Sequence, residues 1–256
     1  MHNTNAVQDA IIVGAGPAGL IAAIYLGRFR RRCLVLENGH SRARWIPTSH
    51  NIPGFTAGIG GDEFLRSLTE QALQYGAQIH QCSVSSIRQE DGTFLLETTG
   101  GTFRSRYVLL ATGVKDHLPG IAGASEAVLR SLLRFCPICD AFEAIDKRIA
   151  VIGDGELGDR EAGFLKQYSD HVTLLHIGPA FVDASARNVC LFGIERVSIQ
   201  LSDLRILQDR VTLAPVGADE RSFDVIYMAL GCSLAGVNYF FRRKSNCRRS
   251  AALKMI

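Results

Sequence analysis

The chain has 256 residues, of which 47% are hydrophobic and 21% are charged, and this length allows two modest domains with separate cores. Its first residues are polar and carry no cationic start before an apolar run, so we expect no secretory signal. Seven cysteines without regular spacing do not indicate a disulfide scaffold, so we expect a cytoplasmic protein with mostly reduced thiols.

The longest apolar stretch and the C-terminal end bear on membrane and nucleic-acid binding. Residues 11–27 are short for a membrane span and contain glycines and a proline, so we expect no membrane contact. The net charge is +3, yet the last acidic residue is Asp224 and residues 225–256 hold six cations. We interpret this basic end as a solvated tail, because it carries no recognisable nucleic-acid motif.

A strand–turn–helix–strand unit opens the chain. The apolar run Ala10–Val13 predicts a buried parallel strand, after which Gly14–Gly19 turns the chain. A helix is predicted over Leu20–Phe29, and a second strand over Arg32–Leu36 ends at Glu37. The length of this unit is typical of one βαβ crossover.

The next region mixes a long loop with regular elements. Residues 38–60 show little periodicity, and a loop this long in a compact domain is usually functional. Apolar positions at helical spacing then predict a helix from Asp62 to Tyr75. Three strands are expected after it, with a turn around Asp91-Gly92, at Gln78–Gln89, Thr93–Thr98 and Thr102–Ala111.

The opening unit recurs later in the chain. Residues 116–120 indicate a linker. Beyond it, Arg148–Ile152 predicts a strand that leads into a second glycine turn, a helix to about Tyr168 and a strand over His171–His176. Two βαβ openings in one chain form an internal repeat, which predicts an α/β fold with two nucleotide-binding units.

The first glycine motif, Gly14, Gly16 and Gly19, fits the dinucleotide fingerprint between a strand and a helix. The first glycine permits the tight turn, the second lets backbone approach a pyrophosphate, and the third allows close helix–strand packing. The helix N-terminus presents N–H groups and a positive dipole end to the phosphates. Glu37, 18 residues beyond Gly19, ends the next strand, where a carboxylate can bind ribose hydroxyls. We therefore predict a cofactor site rather than a bare glycine turn.

The second glycine motif also follows a strand and opens a helix, and its glycines are Gly153, Gly155 and Gly158. The strand after it ends in His176-Ile177-Gly178, which supplies neither an acid for ribose nor an arginine cluster for a 2′-phosphate. Arg187 could approach from the next segment. We predict a nicotinamide nucleotide site here and leave the choice between NADPH and NADH open.

The sharpest chemical motif is Cys136-Pro-Ile-Cys139. Two intervening residues let the sulfurs form a disulfide when the motif opens a helix, whose N-terminus favours the thiolate of the exposed cysteine. The alternative, half of a zinc site, needs a second ligand pair, and the cysteines at 33, 82, 190, 232 and 247 form none, so no metal is predicted. Asp140 follows directly and is placed either to move a proton as the disulfide opens or to cap the helix.

In order and spacing, these motifs resemble those of low-molecular-weight thioredoxin reductases and their thioredoxin reductase-like relatives. The resemblance runs from about residue 8 to about residue 232. Beyond the glycine motifs and the cysteine pair, it includes His50-Asn51-Ile-Pro-Gly-Phe55, Tyr107 to Gly113, and Phe223 to Gly231.

The resemblance implies an α/β fold with two Rossmann-like dinucleotide-binding domains. Residues 1–117 would form the N-terminal part of an FAD domain, 118–231 an inserted NAD(P) domain that carries the cysteines, and 232–256 a basic tail that is atypical of the family. The implied FAD-binding residues are Gly14, Gly16, Pro17, Ala18, Gly19, Glu37, Asn51, Ala111, Thr112 and Gly113.

The resemblance also implies a route for electrons. A hydride would pass from NADPH or NADH to the flavin, and the flavin would reduce the disulfide. Cys139 would face the flavin, Cys136 would attack the disulfide of a partner such as a thioredoxin-like protein, and Asp140 would be the general acid. Family members are commonly homodimers, so we expect one here.

Two departures from the family pattern stand against the expected binding of NADPH and FAD. The arginines that family reductases place after the fourth major strand are replaced by Ile177-Gly178. Residues 232–256 contain no strand–turn–helix pattern and no Gly-Asp pair to hold the flavin ribityl chain. We therefore expect an FAD domain that is incomplete at its C-terminal end and binds flavin weakly or not at all.

Three functions remain open from the sequence. The first is an FAD-dependent thiol–disulfide oxidoreductase of the thioredoxin reductase type. The second is a dithiol oxidase that acts on a small substrate, passes electrons from flavin to oxygen and needs no NADPH. The third is a catalytically inactive remnant that at most binds a nucleotide or a partner.

Overall fold

The computed structural model describes residues 6–177 and 193–235, apart from residues 216 and 218. In this part the chain divides into two compact units. The first comprises residues 6–44, 61–115 and 234–235, and the second comprises 45–60 and 116–233. No helix in the described part is long and apolar enough to cross a membrane.

The first unit is built on a six-stranded sheet in the order β3-β2-β1-β6-β5-β4. Its two helices are α1 (Pro17–Arg28) and α2 (Gly61–Gln74). Its strands are β1 (Gln8–Val13), β2 (Cys33–Glu37), β3 (Gln78–Gln81), β4 (Val84–Glu90), β5 (Thr93–Thr98) and β6 (Gly101–Leu110). Strand β1, helix α1 and strand β2 form the predicted βαβ opening, and β1 pairs parallel with β2.

Strand β6 joins two kinds of pairing in this sheet. Its first half pairs antiparallel with β5, and its second half pairs parallel with β1. The single strand predicted over Gln78–Gln89 is wrong, because the chain breaks between β3, which pairs with β2, and β4, which pairs with β5. The turn at Asp91-Gly92 is confirmed, and both residues have positive φ, 47° and 77°.

The side chains on the two faces of β1 belong to two separate apolar clusters. Ile12 faces α1 and α2, whose buried residues include Leu20 and Leu68. Ile11 and Val13 face a cluster built from the other strands. A strand covered on both faces is apolar along its whole length, which explains the run that predicted it.

The short strand β7 (Val114–Asp116) lies at the division between the units. The second unit contains a five-stranded parallel sheet in the order β11-β10-β9-β15-β8. A three-stranded antiparallel sheet, β12-β13-β14, accompanies it. The helices are α3 (Ala124–Leu129), α4 (Pro137–Asp140) and α5 (Gly155–Leu165). The strands are β8 (Leu133–Arg134), β9 (Ile149–Gly153), β10 (Val172–His176), β11 (Glu195–Ser198), β12 (Leu204–Ile206), β13 (Val211–Leu213), β14 (Arg221–Phe223), β15 (Val225–Ala229) and β16 (Cys232–Leu234).

The second repeat is present as β9, α5 and β10, and β9 pairs parallel with β10. Apolar clusters cover both faces of the five-stranded sheet. Ala150 and Ile152 belong to the cluster that includes α3 and the three-stranded sheet. Ile149 and Val151 belong to the cluster that includes Ala162 and Leu165 of α5.

Strands β7 and β16 form a two-stranded sheet, and the division between the two units falls within these strands. Two differences from the predicted boundaries stand out. Residues 45–60 group with the second unit, and they contribute the bridge Ser49–Ile59 but no strand of the six-stranded sheet. The predicted basic tail opens with strand β16, whereas residues 236–256 lie outside the described residues.

Candidate functional site

The first glycine turn leaves no room for side chains at two of its three glycines. Gly14 has φ +110°, and a Cβ there would lie 2.3 Å from the carbonyl oxygen of Ala111. A Cβ at Gly19 would overlap the carbonyl oxygen of Gly14. These glycines are therefore required by the packing of β1, α1 and the segment after β6.

The middle glycine is different. A Cβ at Gly16 would have the Ser41 hydroxyl oxygen as its nearest neighbour, at 3.5 Å, so the fold tolerates it. Gly16 is the N-cap of α1, Pro17 is the first helical residue, and no side chain caps this helix end. Pro17 is half-buried and Ala18 is exposed, so the first turn of the helix is open to a ligand. An uncapped helix start beside open space suits a pyrophosphate.

The residues expected to complete this site lie at the carboxyl ends of neighbouring strands. Ala111 follows β6 and donates its N–H to the Val13 carbonyl oxygen at 2.9 Å. Next to it come Thr112, which is half-buried, and Gly113, which has φ +68°. Glu37 ends β2 and accepts a hydrogen bond from the Gly39 N–H at 2.6 Å. Parallel sheets bind ligands at this edge, so these residues fit a dinucleotide.

Asn51 stands apart from that group. It is exposed, accepts a hydrogen bond from the Ser49 hydroxyl at 2.7 Å, and belongs to the 45–60 segment of the second unit. Its role in cofactor binding stays a prediction.

Like the first, the second glycine turn leaves little room for a side chain at two of its three glycines. A Cβ at Gly153 would lie 2.9 Å from the Ala229 Cβ, and a Cβ at Gly158 would lie 3.2 Å from Leu174. Gly155 has φ +53° and open space around it. The turn therefore fits the backbone requirement of a nucleotide pyrophosphate.

The strand end that would meet the ribose of that nucleotide is apolar or buried. His176 is 4% exposed and Ile177 is half-buried. Gly178 and Arg187, which the sequence placed in this argument, lie outside the described residues.

Helix α5 carries two acidic groups that the sequence did not single out. Asp159 forms a buried ion pair with Arg196 of β11. Glu161 is half-buried, and burial raises its pKa to about 7, against a smaller opposing effect of Arg160. Neither could be predicted from the helical pattern, because their burial depends on the sheet that α5 covers.

Cys136 and Cys139 form a disulfide, with Cα atoms 5.2 Å apart. As predicted, the motif opens a helix: Cys136 is the N-cap of α4 and Pro137 is its first residue. The Cys139 N–H donates to the Cys136 carbonyl oxygen at 2.9 Å. In the oxidised pair Cys139 is exposed and Cys136 is half-buried.

Asp140 is the last residue of α4, which is the wrong end for an N-terminal cap. Its backbone carbonyl oxygen accepts hydrogen bonds from Arg134 Nη1 at 2.7 Å and from the Tyr227 hydroxyl at 3.1 Å. Its carboxylate Oδ2 lies 3.9 Å from Arg134 Nη1. Burial and the nearby Asp140 charge raise the pKa of Tyr227 well above its ordinary value. Asp140 is therefore held in place directly after the disulfide.

No other cysteine in the described part of the chain is bonded to Cys136 or Cys139. Cys33 and Cys82 are buried, and burial raises the pKa of Cys33 to about 11. Cys232 is exposed. The described residues contain no cluster of three or more His, Cys, Asp or Glu side chains that could hold a metal ion. Cys190 and Cys247 lie outside the described residues.

Comparison with known proteins finds relatives that are named thioredoxin reductases. The chain is 38% identical over 170 residues to a thioredoxin reductase from Treponema pallidum, which covers 66% of this chain and 55% of that protein. It is 34% identical over 178 residues to a thioredoxin reductase from Mycolicibacterium smegmatis, covering 69% of this chain and 57% of the relative. The chain thus spans a little over half the length of these two relatives.

The fold of this chain is also similar to that of a solved structure. The thioredoxin reductase from Streptococcus pyogenes superposes with a TM-score of 0.75 over 89% of this chain and 78% of its own, at 21% sequence identity. Residues 8–200 match the pyridine nucleotide-disulphide oxidoreductase family. The matched range includes both glycine turns and the cysteine pair. The chain therefore belongs to the pyridine nucleotide-disulphide oxidoreductases, among those that are thioredoxin reductase-like.

Proposed function

We propose that this chain acts as an FAD-dependent thiol–disulfide oxidoreductase, in which electrons from NADPH or NADH reach the Cys136–Cys139 pair and then a disulfide substrate. The observation that carries the proposal is the disulfide itself. It opens a helix in the same compact unit as the second glycine turn, and Cys139 is exposed. A thioredoxin-like protein is the proposed substrate, and a homodimer the proposed assembly.

The residues proposed to hold the cofactors follow from the two turns. Gly14, Gly16 and Gly19, together with the start of α1, would receive the FAD pyrophosphate. Gly153, Gly155 and Gly158 would do the same for a nicotinamide nucleotide. When bound, the flavin would supply the two-electron chemistry by which a hydride, together with a proton, reduces a disulfide to a dithiol.

The cysteines have separate proposed roles. The Cys136 thiolate attacks one sulfur of the substrate disulfide, which forms a mixed disulfide and releases a substrate thiolate that takes up a proton. The Cys139 thiolate then attacks the Cys136 sulfur, which restores the Cys136–Cys139 bond and releases the second substrate thiolate. Two electrons leave the pair in this cycle. The N-cap position of Cys136 supports its role as the attacking thiolate.

Asp140 is proposed as the general acid for this pair. It directly follows Cys139, and its side chain is about one-third exposed, at 35%. A carboxylic acid in that place can give a proton to a thiolate as the disulfide opens. The Arg134 and Tyr227 contacts support the role because they fix where Asp140 lies.

A coupled assay tests the proposal. The purified chain is supplied with FAD, thioredoxin, a disulfide dye and either NADPH or NADH, and dye reduction is followed by absorbance. We expect reduction by wild type and loss of it in Cys139→Ser, which should hold a mixed disulfide between Cys136 and thioredoxin. Flavin binding, measured from the absorbance spectrum, should be equal in the two proteins. Full activity in Cys139→Ser would overturn the assigned roles.

A second function, a dithiol oxidase, is favoured by one observation. The described end of β10, His176 and Ile177, offers no exposed cation for a 2′-phosphate. An oxidase takes two electrons and two protons from a small dithiol and passes them to oxygen. Oxygen consumption with a dithiol in the absence of any pyridine nucleotide would establish this function, and its absence would exclude it.

A further inference from the structure

A buried arginine lies two residues before the disulfide. Arg134 is 9% exposed and ends β8, the two-residue edge strand of the parallel sheet. Its register partner on β15 is Tyr227, which is fully buried. Register partners on neighbouring strands direct their side chains to the same face of a sheet, so the two side chains meet there. A guanidinium is buried at such a place only when its donors are satisfied.

The acceptors of Arg134 are backbone and side-chain oxygens around the cysteine turn. Nε donates to the Ser131 carbonyl oxygen at 3.2 Å, so the guanidinium is itself anchored. Nη1 donates to the Asp140 carbonyl oxygen at 2.7 Å and to the Tyr227 hydroxyl at 3.3 Å. The Tyr227 hydroxyl donates to the same Asp140 carbonyl oxygen at 3.1 Å. One carbonyl thus receives two donors from two different strands.

The helix that receives this support is too short to hold its own end. Helix α4 has four residues, and the bond from the Ala141 N–H to the Pro137 carbonyl oxygen, at 2.9 Å, is its i to i−4 contact. The last carbonyls of a helix have no intrahelical partner, and in a helix of one turn that includes Asp140. Arg134 and Tyr227 supply what a second turn would have supplied.

We propose that Arg134 and Tyr227 are positioning residues for the Cys136–Cys139 couple, which they serve by clamping the Asp140 end of α4. The inference deepens the proposed function, since it concerns the same cysteine pair. A clamped turn keeps the two sulfurs close after reduction and therefore raises the effective concentration of one thiol at the other. A higher effective concentration favours the disulfide over the dithiol.

Equilibrium with glutathione measures this effect without any flavin. Two glutathione thiols are oxidised to one glutathione disulfide, the Cys136–Cys139 bond breaks, and the protons of the glutathione thiols pass to the two cysteines. The full chain is equilibrated in glutathione buffers and acid-quenched, and the state of the peptide that carries both cysteines is read by mass spectrometry. Because no cofactor takes part, the result stands whether or not the flavin-dependent activity is found.

Arg134→Gln should shift the equilibrium about three- to tenfold toward the dithiol, where tenfold corresponds to about 30 mV. Tyr227→Phe should shift it in the same direction by a smaller factor, because it removes one of the two donors and keeps the ring. Arg130→Gln is the matched control. Arg130 is an exposed arginine that also binds backbone carbonyls, those of Leu207 and Gln208, and its variant should leave the constant unchanged.

A purely structural role for Arg134 would lower the melting temperature and leave the glutathione constant as in wild type, and that result overturns the proposal. A shift toward the disulfide overturns it too. If Arg134→Gln does not fold, Tyr227→Phe decides: a shift of at least twofold toward the dithiol supports the clamp, and an unchanged constant overturns it.

Discussion

Gly14 and Gly16 stand two residues apart in the same turn, but different constraints act on them. Gly14 has a backbone conformation that disfavours side chains and a carbonyl oxygen 2.3 Å from any added Cβ. Gly16 has neither restriction, so the packing of the fold does not explain its lack of a side chain, and we propose that the reason is ligand binding. At the scale of single residues, the motif therefore contains glycines that the fold requires and one that it does not require.

This difference can be tested with two alanine variants. Gly14→Ala should cost on the order of 3 kcal/mol of unfolding free energy, because the strained φ and the contact with Ala111 act together. Gly16→Ala should leave that free energy within about 0.5 kcal/mol and weaken FAD binding. Denaturant titration and flavin titration give the two values. Gly120→Ala, which has open space and no positive φ, is the control, and equal losses in Gly14→Ala and Gly120→Ala would contradict the argument.

Glu161 gives a pH dependence with a definite sign. Its pKa of about 7 in the fold lies above the ordinary value of 4.5, so the folded state binds more protons between these pH values. Stability should therefore fall as pH rises from 4.5 to 7, and Glu161→Gln should remove that fall. Denaturant unfolding at pH 5 and pH 8 measures the effect. Glu156→Gln, an exposed acid on the same helix, should retain the wild-type dependence.

At the scale of elements, Arg148 and Asp224 tie the start of β9 to the start of β15. The Arg148 Nη2 and Nε atoms lie 2.6 Å and 3.2 Å from the two Asp224 carboxylate oxygens, and the Arg148 N–H donates to the same carboxylate at 2.8 Å. These bonds hold the pKa of Asp224 below its ordinary value. The pair links the neighbouring strands β9 and β15 at the end of the sheet opposite the second glycine turn.

Asp224→Ala should therefore lower the unfolding free energy by about 1 kcal/mol at pH 7, a value that reflects partial exposure. Since the folded pKa of Asp224 is depressed, the contribution is present above about pH 4. It should disappear as pH falls further, so the variant and wild type should converge in acid. Asp209→Ala removes an exposed pair with the adjacent Arg210 and should change stability little. A pH-independent gap would contradict this reading of Asp224.

The elements that could be predicted from the sequence are those with a strong local pattern. Both βαβ openings and the cysteine turn were predicted because apolar runs beside glycines, and two cysteines at short spacing, require no knowledge of partners. Strand β8 and the three-stranded sheet have two or three residues per strand, which is too short for a pattern. For that reason the meeting of Arg134 and Tyr227, which depends on the register of β8 against β15, could not be foreseen.

At the scale of the whole molecule, the two units have separate cores. The two apolar clusters of the second unit contain residues from Ile121 to Leu230, and the two clusters of the first contain residues from Ile11 to Ala111. No buried cluster in the described chain combines residues of both units. A domain with its own core is able to fold alone.

We accordingly expect a fragment of residues 114–235 to fold by itself. It should show a cooperative thermal transition by circular dichroism and the same Cys136–Cys139 constant with glutathione as the full chain. The full chain, treated in parallel, is the reference. A fragment without a cooperative transition would show that the second unit needs residues 45–60 or the first unit for its stability.

The pairing of β7 with β16 has a consequence for how such proteins diversify. Apart from residues 45–60, the chain leaves the first unit within β7 and returns to it within β16, so we expect that a segment with adjacent ends can replace residues 116–233 without altering the six-stranded sheet. Recombination at these two points would exchange the Cys136–Cys139 disulfide and the second glycine turn together. Strands β7 and β16 are therefore the points at which we expect chimaeras of related chains to be joined most readily.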